Sequence, residues 1–490
     1  IKQNIMANNK IFETVPVRTP RRSTFDLSNT FKTTGKLSQL IPVACIETLP
    51  SDKFSIDSTF DVRLCPLKQP IMDQMDARVE WFFVPNSLIW SNWASFITQS
   101  DQGRDPAANG AIPSEVAHFT ISSAFTGNGS LADYLGIGSL KTSKKVNALP
   151  FLAYQQIYSD YYRNEATSNP VAGYSYGVGN NDYTGSIYEI TTLRNRCWSK
   201  DVFTTMAADT VGSTITTDLT GSIEGTVDDQ DVSGDATVEL SFGQLALLRA
   251  SAKWNYNQQI GGSRYQESIL AHYGTLPSDT TMRRALFLGS SKALVDVNGV
   301  VNQTGANVPG NMAGLGYIAA AQNHPFTFNC QDHGWIIGIF SVMPKASYLN
   351  GISRYLIKTG VDDIAFPEFE GIGEQEVYKA ELNSDVPVSA DTYHVAGYNQ
   401  RYYEYKQIPD TVHGGLKDLS GDVGAYTMVR NVSWTGIDNN FVQPNDYETS
   451  FSRCFASTSA FGSGAYHFVA GVNMDIKANR PLSEYSIPQF

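Results

Sequence analysis

The stretch IMDQMDARVEWFFVPNSLIWSNW, residues 71–93, decides the fold, because three of the seven tryptophans lie in it within one strand–turn–helix pattern. Residues 79–84 are an almost wholly apolar run of β-branched and aromatic side chains, which predicts a strand buried on both faces. Pro85 and Asn86 end this run, and Ser87 is predicted to cap a helix. The apolar face of that helix consists of Ile89, Trp90, Trp93, Phe96 and Ile97. So much aromatic area predicts a rigid, buried architectural element and not a reaction centre.

Alternating apolar and polar side chains predict further strands on both sides of this stretch. Residues 54–64 and 466–476 alternate along their whole length, and only Ser58 interrupts the apolar row of the first run. Such long runs with a period of two predict half-buried antiparallel strands. Shorter runs predict strands at 43–49, 334–343 and 426–434.

Helices are predicted at three places. Ser241 and Gln244 have the spacing of a capping box before a helix that Gly261 and Gly262 end. A second helix, at 264–273, ends before Gly274. A third, at 149–163, aligns four aromatic side chains on one stripe, which is the pattern of a core-facing helix: Phe151, Tyr154, Tyr158 and Tyr161.

The two strongest strand predictions lie near opposite ends of the chain, so a single sheet system closed by its first and last strands is expected. Eight jelly-roll strands of about six residues would use only about 50 residues, and the remainder would be inter-strand elaboration. One such elaboration, 204–240, has acidic residues but no basic or aromatic ones, and we expect an exposed insertion there. The Gly- and Asn-rich residues 298–316 predict a second excursion.

Cysteine usage and hydropathy argue against a disulfide-bonded, a secreted and a membrane-spanning protein. The five cysteines are widely spaced and form no CxxC, which predicts reduced, mostly buried thiols in a protein made in a cytoplasm. Residues 1–10 are polar, so no signal peptide is expected. The longest nearly apolar run, 334–343, is too short to span a bilayer.

No enzyme motif is present. The sequence contains no HExxH, GxSxG or GxxxxGK[ST], and a turn-rich segment precedes the GxGxxA match at 314–319. The acidic residues from Asp229 to Ser233 resemble the start of an EF-hand loop, but Leu240 stands at the position of the last ligand. We therefore predict no catalytic residue, no cofactor and no metal site, although paired carboxylates leave acid–base catalysis open.

The charge distribution is uneven. Residues 1–36 contain seven Lys/Arg and two Asp/Glu, a balance of +5, so the remaining chain carries −17 of the net charge of −12. Pro16 and Pro20 keep the arm extended around Arg18, Arg21 and Arg22, as a phosphate-backbone contact requires. These arginines and Lys32 are the predicted nucleic-acid-binding residues, and a merely solvated tail is the alternative.

Eight stretches carry a resemblance to a known family. They resemble the major capsid proteins of the microviruses, icosahedral bacteriophages with circular single-stranded DNA, and above all the gokushovirus branch. In order along the chain they are TPRRSTFDLSNTFKTT (19–34), the opening stretch 71–93, LPFLAYQQIYSDYYRNE (149–165), GGSRYQESILAHYG (261–274), HGWIIGIFSV (333–342), GEQEVYKAEL (373–382), GYNQRYYEYK (397–406) and ANRPLSEYSIPQF (478–490).

The resemblance implies a mainly β fold, a single eight-stranded antiparallel jelly roll with long inter-strand insertions that contain a few α-helices. We expect a basic arm at 1–36 and one capsid domain at 37–490. That domain would include the exposed acidic insertion 204–240 and a loop at 291–322. Residues 204–240 and 291–316 match nothing in the family.

The resemblance also implies a structural, non-enzymatic function. The protein would assemble into a T=1 icosahedral shell of sixty copies around a circular single-stranded DNA genome, with surface loops contributing to host attachment. Expected partners are other copies, the genome on the inner surface, a small basic DNA-binding protein, a minor or pilot capsid protein and a host receptor, without membrane insertion. The expected location is the virion, after synthesis in the bacterial cytoplasm. A β-rich glycan-binding or glycan-cleaving jelly roll is the alternative.

Overall fold

The computed structural model describes residues 21–98, 115–164, 186–207, 284–301, 312–318, 325–349, 351–361, 363–382, 395–430, 439–444, 451–455 and 466–485. It also describes strands at 4–6 and 14–16 and isolated residues at 249, 250, 253, 254, 257, 270, 273, 274, 432 and 437. Most of the helices predicted after Ser241 and at 264–273, and residues 208–240 of the acidic insertion, lie outside these ranges.

Strands dominate the described residues. They are β1 (Asn4–Met6), β2 (Thr14–Pro16), β3 (Ser23–Asp26), β4 (Asn29–Gly35), β5 (Ile41–Thr48), β6 (Lys53–Leu64), β7 (Met75–Pro85), β8 (His118–Ile121), β9 (Lys144–Asn147), β10 (Leu286–Val301), β11 (Met312–Tyr317), β12 (Phe326–Asn329), β13 (Gly334–Pro344), β14 (Tyr348–Leu349), β15 (Glu374–Tyr378), β16 (Val395–Gln400), β17 (Thr411–Val412) and β18 (Phe468–Arg480).

The helices are short. They are α1 (Asn86–Ile89), α2 (Trp93–Thr98), α3 (Leu131–Tyr134), α4 (Leu149–Ile157), α5 (Ile187–Thr191), α6 (Arg354–Ile357), α7 (Lys379–Leu382), α8 (Tyr403–Lys406) and α9 (Asn439–Val442). A π-helical turn, Tyr158–Tyr162, continues α4, and 3₁₀ turns lie at Ser123–Phe125, Pro367–Ile372, Gly414–Lys417, Asp422–Tyr426 and Ser452–Cys454.

Ten strands form one continuous antiparallel system with the order β3-β18-β6-β11-β10-β7-β13-β5. In addition, β4 pairs with β18, and β12 pairs with β6. The system bends at β10, whose first half pairs with β7 and whose second half pairs with β11. The strands predicted at 43–49, 54–64, 79–84, 334–343 and 466–476 are all confirmed.

The main core lies between the two halves of this system. Alternate residues of β6 and β18 are buried on one face, as their period of two predicts, and they share a cluster with alternate residues of β7 and β13. Phe340 of β13 contacts Phe60 of β6 and Phe468 of β18, with ring centroids 5.7 Å apart in each pair. The two halves therefore pack face to face as a sandwich.

A second core covers the opposite face of β7 and β13. Phe82 and Val84 of β7 and Ile337 and Ile339 of β13 pack there with α1, α2, α3 and α4. Since β7 buries Trp81 and Phe83 on the other side, it is buried on both faces as predicted. Within this layer the Arg196 guanidinium lies 3.1 Å from Glu80, and the Tyr162 hydroxyl donates to the same carboxylate.

The prediction of a single helix after Ser87 is wrong. The structure has two shorter helices, α1 and α2, because Trp90 between them is extended, with φ −142° and ψ 109°. Trp90 is fully buried, and its ring lies 5.4 Å from Phe96 and 6.2 Å from Trp93, so aromatic packing overrides helix propensity. The Ser87 hydroxyl makes no cap and donates to Asp332 instead.

Two other segments differ from their predictions. The strand predicted at 426–434 is absent from the described part of that range, where a 3₁₀ turn ends at Tyr426 and only Arg430 makes a single bridge, to Tyr348. The predicted loop 291–322 contains much of β10 and all of β11, which pair as a hairpin. Residues such as Ala293 and Val295 face the core there.

Candidate nucleic-acid interface

The second half of the predicted arm belongs to the main sheet. β3 pairs with residues 477–480 of β18, and β4 pairs with residues 468–474 of the same strand. Phe31 packs against the core, while Lys32 beside it is exposed. Arg21 and Arg22 come just before β3 and are exposed, whereas Arg18 lies outside the described residues. Backbone pairing therefore holds two of the predicted arginines beside the last strand.

Lys53 and Lys477, which the sequence did not single out, lie on β6 and β18 near Arg21 and Arg22, and we call these four residues the basic corner. The Arg22 Nε donates to Asn479 Oδ1 at 3.0 Å, and Asn479 is the register partner of Lys53 on β6. Lys477 lies two residues earlier on β18, on the same outward face. Lys53 and Lys477 are both exposed. The corner therefore concentrates positive charge at the end of the sheet.

Lys32 lies away from the basic corner. Its register partner on β18 is Gly471, whereas Asp26 is the partner of Lys477. Six residues of strand correspond to about 20 Å, so Lys32 and the corner do not act as one cluster. Of the four predicted residues, the structure brings Arg21 and Arg22 together and separates Lys32.

A polar cleft of about 300 Å³ lies between Lys32 and the basic corner. Its lining includes Ser28, Thr30, Asp57 and Asp475. The Ser28 hydroxyl donates to Asp26 and its oxygen lies 3.1 Å from Asp475 Oδ1, and the Asp26 carboxylate also accepts the Ser28 N–H. The hydrogen bonds from Ser28, with a smaller contribution from Lys477, lower the pKa of Asp26. A phosphate backbone would therefore contact the corner more favourably than this acidic centre.

The lysines were missed because they belong to strands whose polar faces look merely solvated. In sequence, Lys53 and Lys477 are more than 400 residues apart, and each simply flanks an alternating run. Only the pairing of β6 with β18 makes them neighbours. No signal in the linear sequence identifies that pairing register.

The other candidate chemistries have little geometric support in the described residues. No group of three His, Cys, Asp or Glu side chains there is placed to hold a metal ion. All five cysteines are free, and burial raises the pKa of Cys45 to about 12 and that of Cys454 to about 11. Such thiols are poor nucleophiles at neutral pH. None of the described helices has the length and apolarity needed to cross a membrane.

Comparison with known proteins adds independent information. A model of the capsid protein (F protein) family of phages matches residues 13–217 and 205–490. The chain is 26% identical to capsid protein VP1 of Chlamydia phage 1 over 589 aligned positions, covering 97% of each chain. It is 23% identical to capsid protein VP1 of Bdellovibrio phage phiMH2K, covering 84% of this chain and 85% of that one. With capsid protein VP1 of Spiroplasma virus 4 the identity is 22%, covering 78% and 80%.

Proposed function

Because this chain belongs to the capsid protein (F protein) family and is a structural major capsid protein of a microvirus, we propose that it builds a T=1 icosahedral shell around a circular single-stranded DNA genome. The observation that carries the proposal is the family match, which extends from residue 13 to residue 490. A capsid role requires copies of the chain to assemble with one another. We propose no catalytic role. We propose that the protein is synthesised in the bacterial cytoplasm and is then located in the virion.

We propose that eight of the strands form the capsid jelly roll. Two four-stranded orders support this, β4-β18-β6-β12 in one half and β5-β13-β7-β10 in the other. Each half mixes strands from distant parts of the chain, as the two Greek keys of a jelly roll require. The helix layer, β11 and the residues between β13 and β18 are then elaborations of this framework.

We propose further that the face carrying the basic corner is turned toward the genome. Four exposed cations would contact the phosphate backbone of the DNA without recognising its bases, which suits a protein that packages one whole genome. Since the whole chain is acidic, a small basic DNA-binding protein would supply the remaining neutralisation. A minor or pilot capsid protein and a host receptor complete the proposed partners, and insertion 204–240 is the proposed contributor to attachment.

The assembly proposal is tested by the size of the particles. Full-length protein expressed with its phage genome is expected to sediment as particles of megadalton mass, and cryo-electron microscopy is expected to resolve sixty copies in icosahedral arrangement. A stable monomer or small oligomer under all assembly conditions would contradict the proposal. Glycan binding by such a monomer on an array would favour the alternative, a jelly-roll lectin.

The genome contact is tested by charge reversal. We expect Arg18→Glu, Arg21→Glu and Arg22→Glu together to lower the DNA content of purified particles or the salt concentration at which DNA is retained, since each lost phosphate contact weakens binding. Lys53→Glu with Lys477→Glu should do the same. Lys32→Glu, outside the corner, is the control for the single reversal Lys53→Glu and should have a smaller effect than that variant. Unchanged DNA content in the triple variant would contradict this assignment.

A further inference from the structure

Exposed apolar side chains are concentrated in one region of the described surface. Eight of its 22 exposed large apolar side chains lie in residues 355–369 and 405–408. We call this set the apolar platform: Tyr355, Leu356, Val361, Ile364, Phe366, Phe369, Tyr405 and Ile408. Tyr355 is 71% exposed and Ile408 is 84% exposed. Concentrated exposed apolar area of this kind marks a protein contact.

Direct contacts join the two segments that carry the platform. The Tyr402 hydroxyl donates to the Ile364 carbonyl at 3.3 Å, and the ring of Tyr402 lies 6.2 Å from that of Tyr405. Lys358 Nζ donates to the Tyr405 hydroxyl and also pairs with Glu404. The segments that follow α6 and that contain α8 are therefore continuous in space.

A buried polar network beneath the platform links the segments that carry it. Arg354 Nη1 lies 3.3 Å from Glu381 Oε1, and both side chains are less than a tenth exposed. The Tyr403 hydroxyl donates to the other carboxylate oxygen of Glu381, and the Tyr378 N–H donates to the first. The Arg354 guanidinium also stacks 4.6 Å from the centre of the Tyr378 ring. The platform is thus presented on fixed elements, which lowers the entropy cost of binding.

We propose that the apolar platform is a contact between subunits and that its occupant is a second copy of this chain. This inference rests on the proposed self-assembly. A covered aromatic side chain buries roughly 150–250 Å² and an aliphatic one somewhat less, so these eight partly exposed groups offer on the order of 800 Å², about what one partner contributes to a stable interface. Aromatic residues are also enriched at the centres of such interfaces, and three of the platform's residues at 355–369 are aromatic.

Charge indicates which part of the second copy meets the platform's edge. Glu368, Glu370 and Glu376 are exposed there, and the nearby Lys406 is paired with Glu370 at 3.2 Å. On the same chain, Lys141 and Lys144 are exposed at the start of β9. Because these two surfaces are different, the contact would be head-to-tail, the type that closes into rings around a symmetry axis.

Hydrogen–deuterium exchange tests the contact directly. Peptides covering 354–369 and 402–408 are expected to exchange more slowly in assembled particles than in the dissociated full-length subunit. Wild-type particles in which both peptides exchange as fast as in the free subunit would overturn the inference while leaving the proposed function intact. Wild-type protein that never forms particles would instead overturn the proposed function. Protection that requires an added basic phage protein or host envelope fragments would overturn the assignment to a second copy.

Substitutions supply the second test. Phe369→Asp with Ile408→Asp is expected to reduce particle yield at least about tenfold. A tenfold change corresponds to about 1.4 kcal/mol in the free energy of association at each subunit contact. The matched control, Phe369→Leu with Ile408→Leu, keeps the apolar character and should assemble. Circular dichroism and the melting temperature of the free subunit show whether the aspartate variant is folded. Normal assembly of a folded aspartate variant would overturn the inference, and normal assembly of Lys141→Glu with Lys144→Glu would overturn the proposed complementary edge.

Discussion

His467 shows how a single residue acquires a property that its sequence context does not display. Its side chain is fully buried at the start of β18, where Nδ1 accepts the Leu37 N–H at 3.1 Å. The imidazole is stacked on the Phe455 ring with the centroids 4.6 Å apart. Burial, and to a lesser extent the charge of Lys36, lowers the pKa of His467 to about 3. The folded subunit therefore holds this histidine in its neutral form.

The free energy of unfolding should fall in mild acid because of His467. In the unfolded chain a histidine titrates near pH 6.5, so between about pH 3 and 6.5 the unfolded state binds a proton that the folded state does not. The stability is complete above pH 6.5 and is lost as the pH falls. At pH 5 the loss is about 2 kcal/mol. Urea unfolding of the dissociated subunit at pH 5 and pH 7.5 measures it.

His467→Asn tests the assignment, because its amide oxygen can still accept the Leu37 N–H but does not titrate. This variant should lose less stability between pH 7.5 and pH 5 than the wild type. The exposed His413 is the control site, and His413→Asn should keep the wild-type dependence. An identical pH dependence in the His467 variant would show that carboxylates elsewhere cause the acid sensitivity.

Trp90 marks the limit of sequence prediction at the residue scale. The spacing correctly placed Trp90, Trp93 and Phe96 in one aromatic cluster. It failed to predict the extended backbone at Trp90, because helix periodicity describes a face and carries no information about the position of the sheet beneath it. The buried position of the ring relative to β7 and β13 decides where the helix breaks.

At the scale of elements, two glycines on the paired strands β4 and β18 show how closely β4 packs against the core. A Cβ atom on Gly35 would lie 2.5 Å from Ile41 Cδ1 and 2.7 Å from Phe468 Cζ. Gly471 of β18, the register partner of Lys32, has no atom within 4 Å of such a Cβ. The first glycine therefore allows β4 to approach the core, whereas the second faces outward.

Alanine substitution should separate these two roles. Gly35→Ala is expected to destabilise the subunit by about 1–3 kcal/mol, because Phe468 is fully buried and cannot move aside. Gly471→Ala in the same sheet should change stability by less than about 1 kcal/mol or increase it slightly. Chemical unfolding of both variants measures the difference. Equal stability of the two would mean that β4 adjusts its position without cost.

At the same scale, strand positions were predicted well wherever one face is buried. β6 and β18 were predicted from alternation alone, since each buries every second residue. The hairpin of β10 and β11 was missed because glycine and asparagine dilute its apolar pattern. The basic corner was half predicted, since Arg21 and Arg22 were identified from charge but Lys53 and Lys477 require the register of β6 with β18.

At the scale of the whole molecule, the last strand completes the first sheet. β18 lies between β4 and β6, so residues near opposite ends of the chain are hydrogen-bonded neighbours. Its removal would expose the buried faces of β6 and β4 and leave two unpaired strand edges, which favour aggregation. Residues 1–20, by contrast, precede every strand of the main sheet.

Truncation should therefore have opposite results at the two ends. Deletion of residues 466–490 is expected to give insoluble protein without a cooperative unfolding transition. Deletion of residues 1–20 should leave the melting temperature of the subunit nearly unchanged, although it removes Arg18 and should reduce DNA retention. Solubility, thermal melting and particle DNA content measure these effects. A soluble, cooperatively folded protein lacking 466–490 would contradict the structural role of β18.

The sequence by itself determined the mainly β character, the position of most long strands and the basic character of the arm, because periodicity and charge are local properties of the chain. It also determined that residues 71–93 form a buried strand followed by helical structure. The tertiary structure alone decided the strand order, the break at Trp90, the basic corner, the apolar platform and the neutral state of His467. These depend on contacts between residues far apart in the chain, and only packing of the complete chain establishes such contacts.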